Sequence, residues 1–196
     1  TATTVPAGLT VDLTYDGSAI APSNAGSYVV TGTVNDVNYN GSSTGLLIVA
    51  QGSAVVTLDD LTQVYDGSNR VVTATTVPAG LIVDLTYDGS VMAPTNSGTY
   101  AVTGTVNDVN YTGSSVDVLV VPNASSMVTL SDLAQTYDGT ARIATATTVP
   151  AGLTVDLTYD GSATAPTNAG SYVVTGMVSA VEYDGRAAGS VRRAPG

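Results

Sequence analysis

The passage Thr73–Gly104, TATTVPAGLIVDLTYDGSVMAPTNSGTYAVTG, returns twice, as Thr1–Gly32 and as Thr145–Gly176. Tyr15, Tyr87 and Tyr159 mark the same point in each copy at a constant spacing of 72 residues. Three copies at one spacing define a tandem array, and that constraint precedes any element-by-element reading. In 196 residues the period leaves two whole units and a shortened first one, read as 1–50, 51–122 and 123–196. Such a unit lies near the lower limit, roughly 60 residues, for a self-standing hydrophobic core, so contacts between neighbouring repeats are expected to matter.

The middle copy is whole and serves as reference. Val55–Leu58 reads as a short strand, and Arg70–Thr75 as a second. Tyr65-Asp66-Gly67 between them is a turn signal, because Gly tolerates positive φ and Asp caps its own backbone. Val77-Pro78-Ala79-Gly80 interrupts, since Pro78 offers no donor and Gly80 suits a left-handed position. Leu81, Val83, Leu85 and Tyr87 then alternate with polar residues, a half-buried strand closed by Asp88-Gly89; Ile82 breaks the pattern and is expected to be partly covered. Thr99–Val106 puts Tyr100, Val102, Gly104 and Val106 on one side. Asn107–Ser115 is a polar connection around Tyr111. Val116–Val121 is a near-continuous apolar run, which suits a central strand or one covered on both faces. The best helical candidate is a single turn in Leu58–Gln63 or its counterpart Leu130–Gln135. Five to six short strands per unit predict an all-β chain of small sandwiches or barrels laid end to end.

The ends depart from this reference. The first copy lacks a counterpart of Val55–Val72, and the chain begins inside a repeat, so it is expected to be a piece of a longer protein. In the last copy Arg192 and Arg193 stand where the middle copy has Val120 and Val121. That strand is expected either to be lost or to lie at an edge, where charge blocks further pairing.

The recurring phrase Tyr-Asp-Gly, Thr-Thr-Val-Pro-Ala-Gly-Leu, Tyr-Asp-Gly-Ser and Ala-Pro-Thr/Ser-Asn-Ala/Ser-Gly-Ser/Thr-Tyr resembles the MBG/YDG-type repeat domains. These occur in tandem in large bacterial secreted and surface proteins, including filamentous-haemagglutinin-like adhesins. The resemblance implies a mostly-β fold, Ig-like or grasp-like, an extracellular location at the bacterial surface, and a stalk or adhesive role. It brings no catalytic residue with it.

Absent residue types exclude much chemistry. There is no Lys, His, Cys, Trp or Phe. Without His or Cys there is no Ser-His or Cys-His nucleophile and no ordinary zinc or copper site. Asp84 and Asp88, four residues apart on a strand, would stand roughly 13 Å apart at ~3.3 Å per residue, too far for a glycosidase pair, which needs about 5–9.5 Å. No catalysis is expected. Sixteen acids against five bases, a net charge of −11, argue against nucleic acid and anionic membrane surfaces as partners. No apolar run of ~18 residues predicts a membrane-spanning helix. Calcium is the one metal to weigh, with Asp59, Asp60 and Asp108 as its weak candidates, although no spaced Asp loop occurs. Tyr87 and Tyr100 lie in phase with the apolar faces and belong to the core. Tyr39, Tyr111 and Tyr183 sit in polar loops and are the candidates for contact with a ligand such as a cell-surface glycan. Three roles therefore compete: a spacer whose partners are its neighbouring repeats, a glycan-binding module acting by avidity, and a filament subunit joined to other copies by strand addition.

Overall fold

The computed structural model describes residues 1–196, with eighteen β-strands and no helix. Two compact units divide the chain: Thr1–Asp59, Thr73–Gly89 and Val102–Asp117 make one, and Asp60–Val72, Ser90–Ala101 and Val118–Gly196 the other. The middle repeat contributes to both.

The second unit contains the whole third repeat. Val155–Tyr159, Gly170–Val178 and Arg186–Ala194 run antiparallel, and Ala134–Thr136 joins in parallel beside Arg186–Ala194. Met127–Ser131 and Thr145–Val149 pair separately as an antiparallel ladder. Ala144, Tyr159, Val174 and Val191 are buried as one cluster, with Leu130, Leu133, Leu157, Ala165 and Tyr172 packed on it. Leu130 comes from the ladder and Val174 and Val191 from the sheet, so the core is the layer between them. Gly176 permits this closeness: a Cβ there would stand 3.1 Å from Leu130 Cδ2. The Tyr159 hydroxyl, deep in the cluster, accepts a 2.8 Å hydrogen bond from the Ala144 N–H, which satisfies the polar end of a buried ring.

The turn after Val155–Tyr159 follows from its residues. Asp160 and Gly161 both have positive φ, 48° and 83°, and Tyr159 and Ser162 exchange both backbone hydrogen bonds at 2.7 and 2.9 Å. This is the two-residue geometry that Asp-Gly favours. Asp160 Oδ1 then accepts from the Val173 N–H at 2.8 Å, and Asp16 does the same for Val29 in the first repeat.

In the first unit, Val11–Tyr15, Gly26–Val34 and Ser42–Val49 form an antiparallel sheet with Gly26–Val34 central. These strands match those of the third repeat, yet Val30 is half-buried where Val174 is 0 % exposed. No ladder of the Met127–Ser131 type covers them. The middle repeat does have one, Val55–Asp59 with Thr73–Val77. Its Leu58 lies over Gly104, 3.0 Å from where a Cβ would be. Val83–Tyr87 pairs with Gly98–Val106, burying Tyr87, Val102 and Val106, and Tyr100 is half-buried with its hydroxyl donating to the Asn96 carbonyl at 3.0 Å.

Several sequence expectations are corrected. The strand expected at Arg70–Thr75 is Thr73–Val77. Ile82 is 68 % exposed rather than partly covered. Ser114–Val121 buries only alternate residues, Leu119 and Val121, and exposes Val116, Val118 and Val120. The helical turn does not form: Val55–Asp59 is strand and Asp60 takes φ 60°.

The last strand of the third repeat is neither lost nor at an edge. Arg186–Ala194 pairs on both sides, and Arg193 is only 2 % exposed. Its Nη2 donates to the Thr140 carbonyl at 2.9 Å, Nη1 donates to the Pro166 carbonyl, and the guanidinium lies 5.8 Å from the Tyr137 ring centre. Asp138 stands 3.6 Å away. One period earlier, Arg70 pairs with Asp66 and bonds Ser68 Oγ, and Nε of both arginines is buried without a hydrogen-bond partner. One guanidinium socket beside the Tyr-Asp-Gly turn is thus filled by residue 70 in the middle repeat. In the third repeat Arg193 fills it, and Arg142, the counterpart of Arg70, is half-exposed while still paired with Asp138.

Asp138 Oδ1 accepts from both the hydroxyl and the backbone N–H of Thr140. Those two bonds above all, with a lesser contribution from Arg142, hold its carboxyl at about 2, below the usual 3.8, against an opposing effect of desolvation. A carboxyl more acidic when folded stabilises fully above about pH 4 and loses that contribution as pH falls toward 2. Thr140→Ala is expected to return the Asp138 titration, followed by NMR of the side-chain carboxyl, toward the ordinary value. Arg193→Val is expected to let Arg142 enter the socket and to cost at most about 1 kcal/mol in urea unfolding. Adding Arg142→Ala leaves the carbonyls without a donor and is expected to cost about 2 kcal/mol more.

Candidate functional site at the repeat junctions

The chain leaves each repeat through a short run of small residues, Gly52-Ser53-Ala54 after the first and Ala124-Ser125-Ser126 after the second. Neither run has apolar periodicity, yet both form strand. Gly52–Ser53 pairs in parallel with Tyr111–Thr112, and Ala124–Ser125 pairs in parallel with Tyr183–Asp184. The linker is therefore added as a strand to a loop of the repeat that follows it.

Two backbone bonds make each bridge. Gly52 N–H donates to the Asn110 carbonyl at 2.7 Å and Ala54 N–H to that of Thr112 at 2.8 Å. At the second junction Ala124 N–H donates to the Glu182 carbonyl at 2.9 Å and Ser126 N–H to that of Asp184 at 2.7 Å. Around these bonds the side chains differ. Asn110 Oδ1 accepts from the Ala25 N–H at 2.8 Å, its Nδ2 reaches Asn24 Oδ1 at 3.3 Å, and Gln51 Nε2 donates to the carbonyls of Asp108 and Val109. The second junction uses Asn123 Nδ2 on Asp184 Oδ1 at 3.1 Å, and an edge-on contact of Tyr65 with Tyr183, 5.5 Å between ring centres.

The receiving loop is shaped by its own residues. Asp108 Oδ1 accepts from the N–H groups of Asn110 and Tyr111 at 2.7 and 3.0 Å. Asp36 does the same for Asn38 and Tyr39 in the first repeat. Such Asx caps preset a turn before any neighbour arrives.

The structure distributes the sequence-derived candidates as follows. Asp59 ends a strand opposite Thr73, Asp60 sits in a left-handed bend, and Asp108 caps the receiving loop. These three do not gather, and no group of three or more acidic side chains suited to a metal forms. Tyr111 and Tyr183 are half-buried in the two bridges, and the ring of Tyr39 is 49 % exposed. From sequence Pro122–Ser125 reads only as a short linker, and Gly52 and Ser53 were not singled out. Their signal was small residues at a fixed distance ahead of Val-Val-Thr-Leu or Met-Val-Thr-Leu.

Fold and junctions together define an array of small all-β repeats, each fastened to the next by strand addition. A family model described as the MBG domain matches residues 1–53, 54–125 and 126–194. The chain belongs to the MBG domain family, as three tandem copies. No curated protein matches it. A double-mutant cycle with Tyr65→Ala and Tyr183→Ala is expected to give a coupling of about 1 kcal/mol for the edge-on pair in thermal or urea unfolding.

Proposed function

We propose that these repeats are a spacer in a bacterial surface protein, working outside the cell and catalysing nothing. The observation that carries this reading is that both junctions repeat one two-bond bridge while their side chains differ. A spacer needs the connection repeated, and it does not need a ligand site copied. The recurring residues are occupied accordingly: Tyr87 and Tyr159 fill cores, and Asp16, Asp108 and Asp160 cap turns. The charge of −11 suits surfaces that repel one another. Its partners in this reading are the adjacent repeats of the same chain.

A glycan-binding role would draw on Tyr39, the one loop tyrosine of its set with a half-exposed ring. A filament would draw on the same strand addition between chains. Solution scattering from tandem proteins of increasing repeat number separates the three. A spacer predicts a maximum dimension that rises linearly, by roughly 30–40 Å per 72-residue repeat. A dimension that levels off overturns the spacer. Growth with protein concentration favours the filament, and binding to a glycan array that is lost with Tyr39→Ala favours the glycan module.

A further inference from the structure

Each receiving loop ends in a glycine: Gly41, Gly113 and Gly185 in the three repeats. None of them needs to be glycine for its backbone angle, since none has positive φ. Their surroundings differ sharply. A Cβ on Gly113 would stand 2.2 Å from the Ala54 carbonyl oxygen and 3.0 Å from its carbon. A Cβ on Gly185 would stand 2.1 Å from Ser126 Oγ and 2.8 Å from the Ser126 carbonyl oxygen. On Gly41 the nearest atom would be Val34 Cγ2 at 3.7 Å, an ordinary contact.

We propose that the Tyr-x-Gly edge of each repeat is a recognition site for an extended, small-residue linker running parallel to it, and that its glycine is the specificity-determining residue. The obstruction at Gly113 is backbone, so it cannot be relieved by turning a side chain. Any Cβ there pushes the linker away and breaks the bonds from Gly52 and Ala54. The tyrosine of the motif sets a milder condition. A Cβ on Gly52 would stand 3.1 Å from Tyr111 Cε1, and the second linker does carry a Cβ there, in Ala124 opposite Tyr183. The ring accommodates alanine; the glycine position accommodates nothing. The edge therefore accepts Gly-Ser-Ala and Ala-Ser-Ser and rejects bulk on its own side. This deepens the spacer reading by naming the surface that joins the repeats, and it stands or falls separately from it.

Amide hydrogen exchange on the whole chain tests it, with one substitution at the same position in each repeat. Gly113→Ala is expected to speed exchange at Gly52 and Ala54 at least ten-fold and to leave Ala124, Ser126 and Val191 unchanged. Gly185→Ala is expected to do the reverse at Ala124 and Ser126. Gly41→Ala is expected to change none of them. Ala54→Pro, which removes one donor from the linker side, should expose Gly52 in the same way and decides the matter if Gly113→Ala loosens its whole repeat. Unchanged protection in Gly113→Ala, or an equal effect from Gly41→Ala, would overturn the assignment. Scattering tests reach and exchange tests the bridge, so the spacer and the recognition site can fail independently.

Discussion

Leu58 and Leu130 each end against a glycine on the facing sheet, Gly104 and Gly176. That contact decides whether a repeat has an interior. A unit of this size without cysteine must be closed by burial and backbone pairing alone. A thin two-stranded ladder can supply enough burial only by lying close to the larger sheet. The leucine over the glycine sets that distance, and Val174 and Val191 become fully buried beneath it. Where the ladder is absent, over the first repeat, the same valine is half-buried and the same strands form regardless.

The polar residues follow the same division. Asp16 and Asp160 tie a turn to a neighbouring strand, and Asp36 and Asp108 preset equivalent loops, of which the one in the middle repeat receives the linker. Their carboxylates are spent on backbone N–H groups, which is the ordinary use of Asp at turns. Alanine replaces this cap at position 180, and there the loop is held by a 3.5 Å backbone bond from Tyr183 to Ala180 together with the bridge itself. The bridge is thus the constant feature and the cap the variable one.

The arginine socket shows how near-identical repeats absorb divergence. A buried guanidinium is tolerated only when its donors find acceptors. The Arg70 guanidinium finds Asp66 and Ser68 Oγ, and that of Arg193 finds the Thr140 and Pro166 carbonyls, each beside a Tyr-Asp-Gly turn, while Nε of both stays without a partner. The two routes conserve a site in space while exchanging its residue in sequence. A comparison of aligned positions alone sees a valine lost from the core at residue 193 and an unchanged arginine at residue 142.

The period, the faces of Val83–Tyr87 and Gly98–Val106, and the Asp-Gly turns were legible in the sequence because each rests on neighbours within a few residues. Val116–Val121 is paired on both sides but not covered on both faces, since an unbroken apolar run does not say which side meets solvent. The bridges were not legible at all: two residues carry no periodicity, and their partners lie in the next repeat. Sequence by itself determined that this is an array of all-β units. Only the tertiary structure decided where Arg193 goes, which glycine must stay bare and which loop receives the linker. Those depend on surfaces from distant parts of the chain fitting together, and no local pattern encodes the fit.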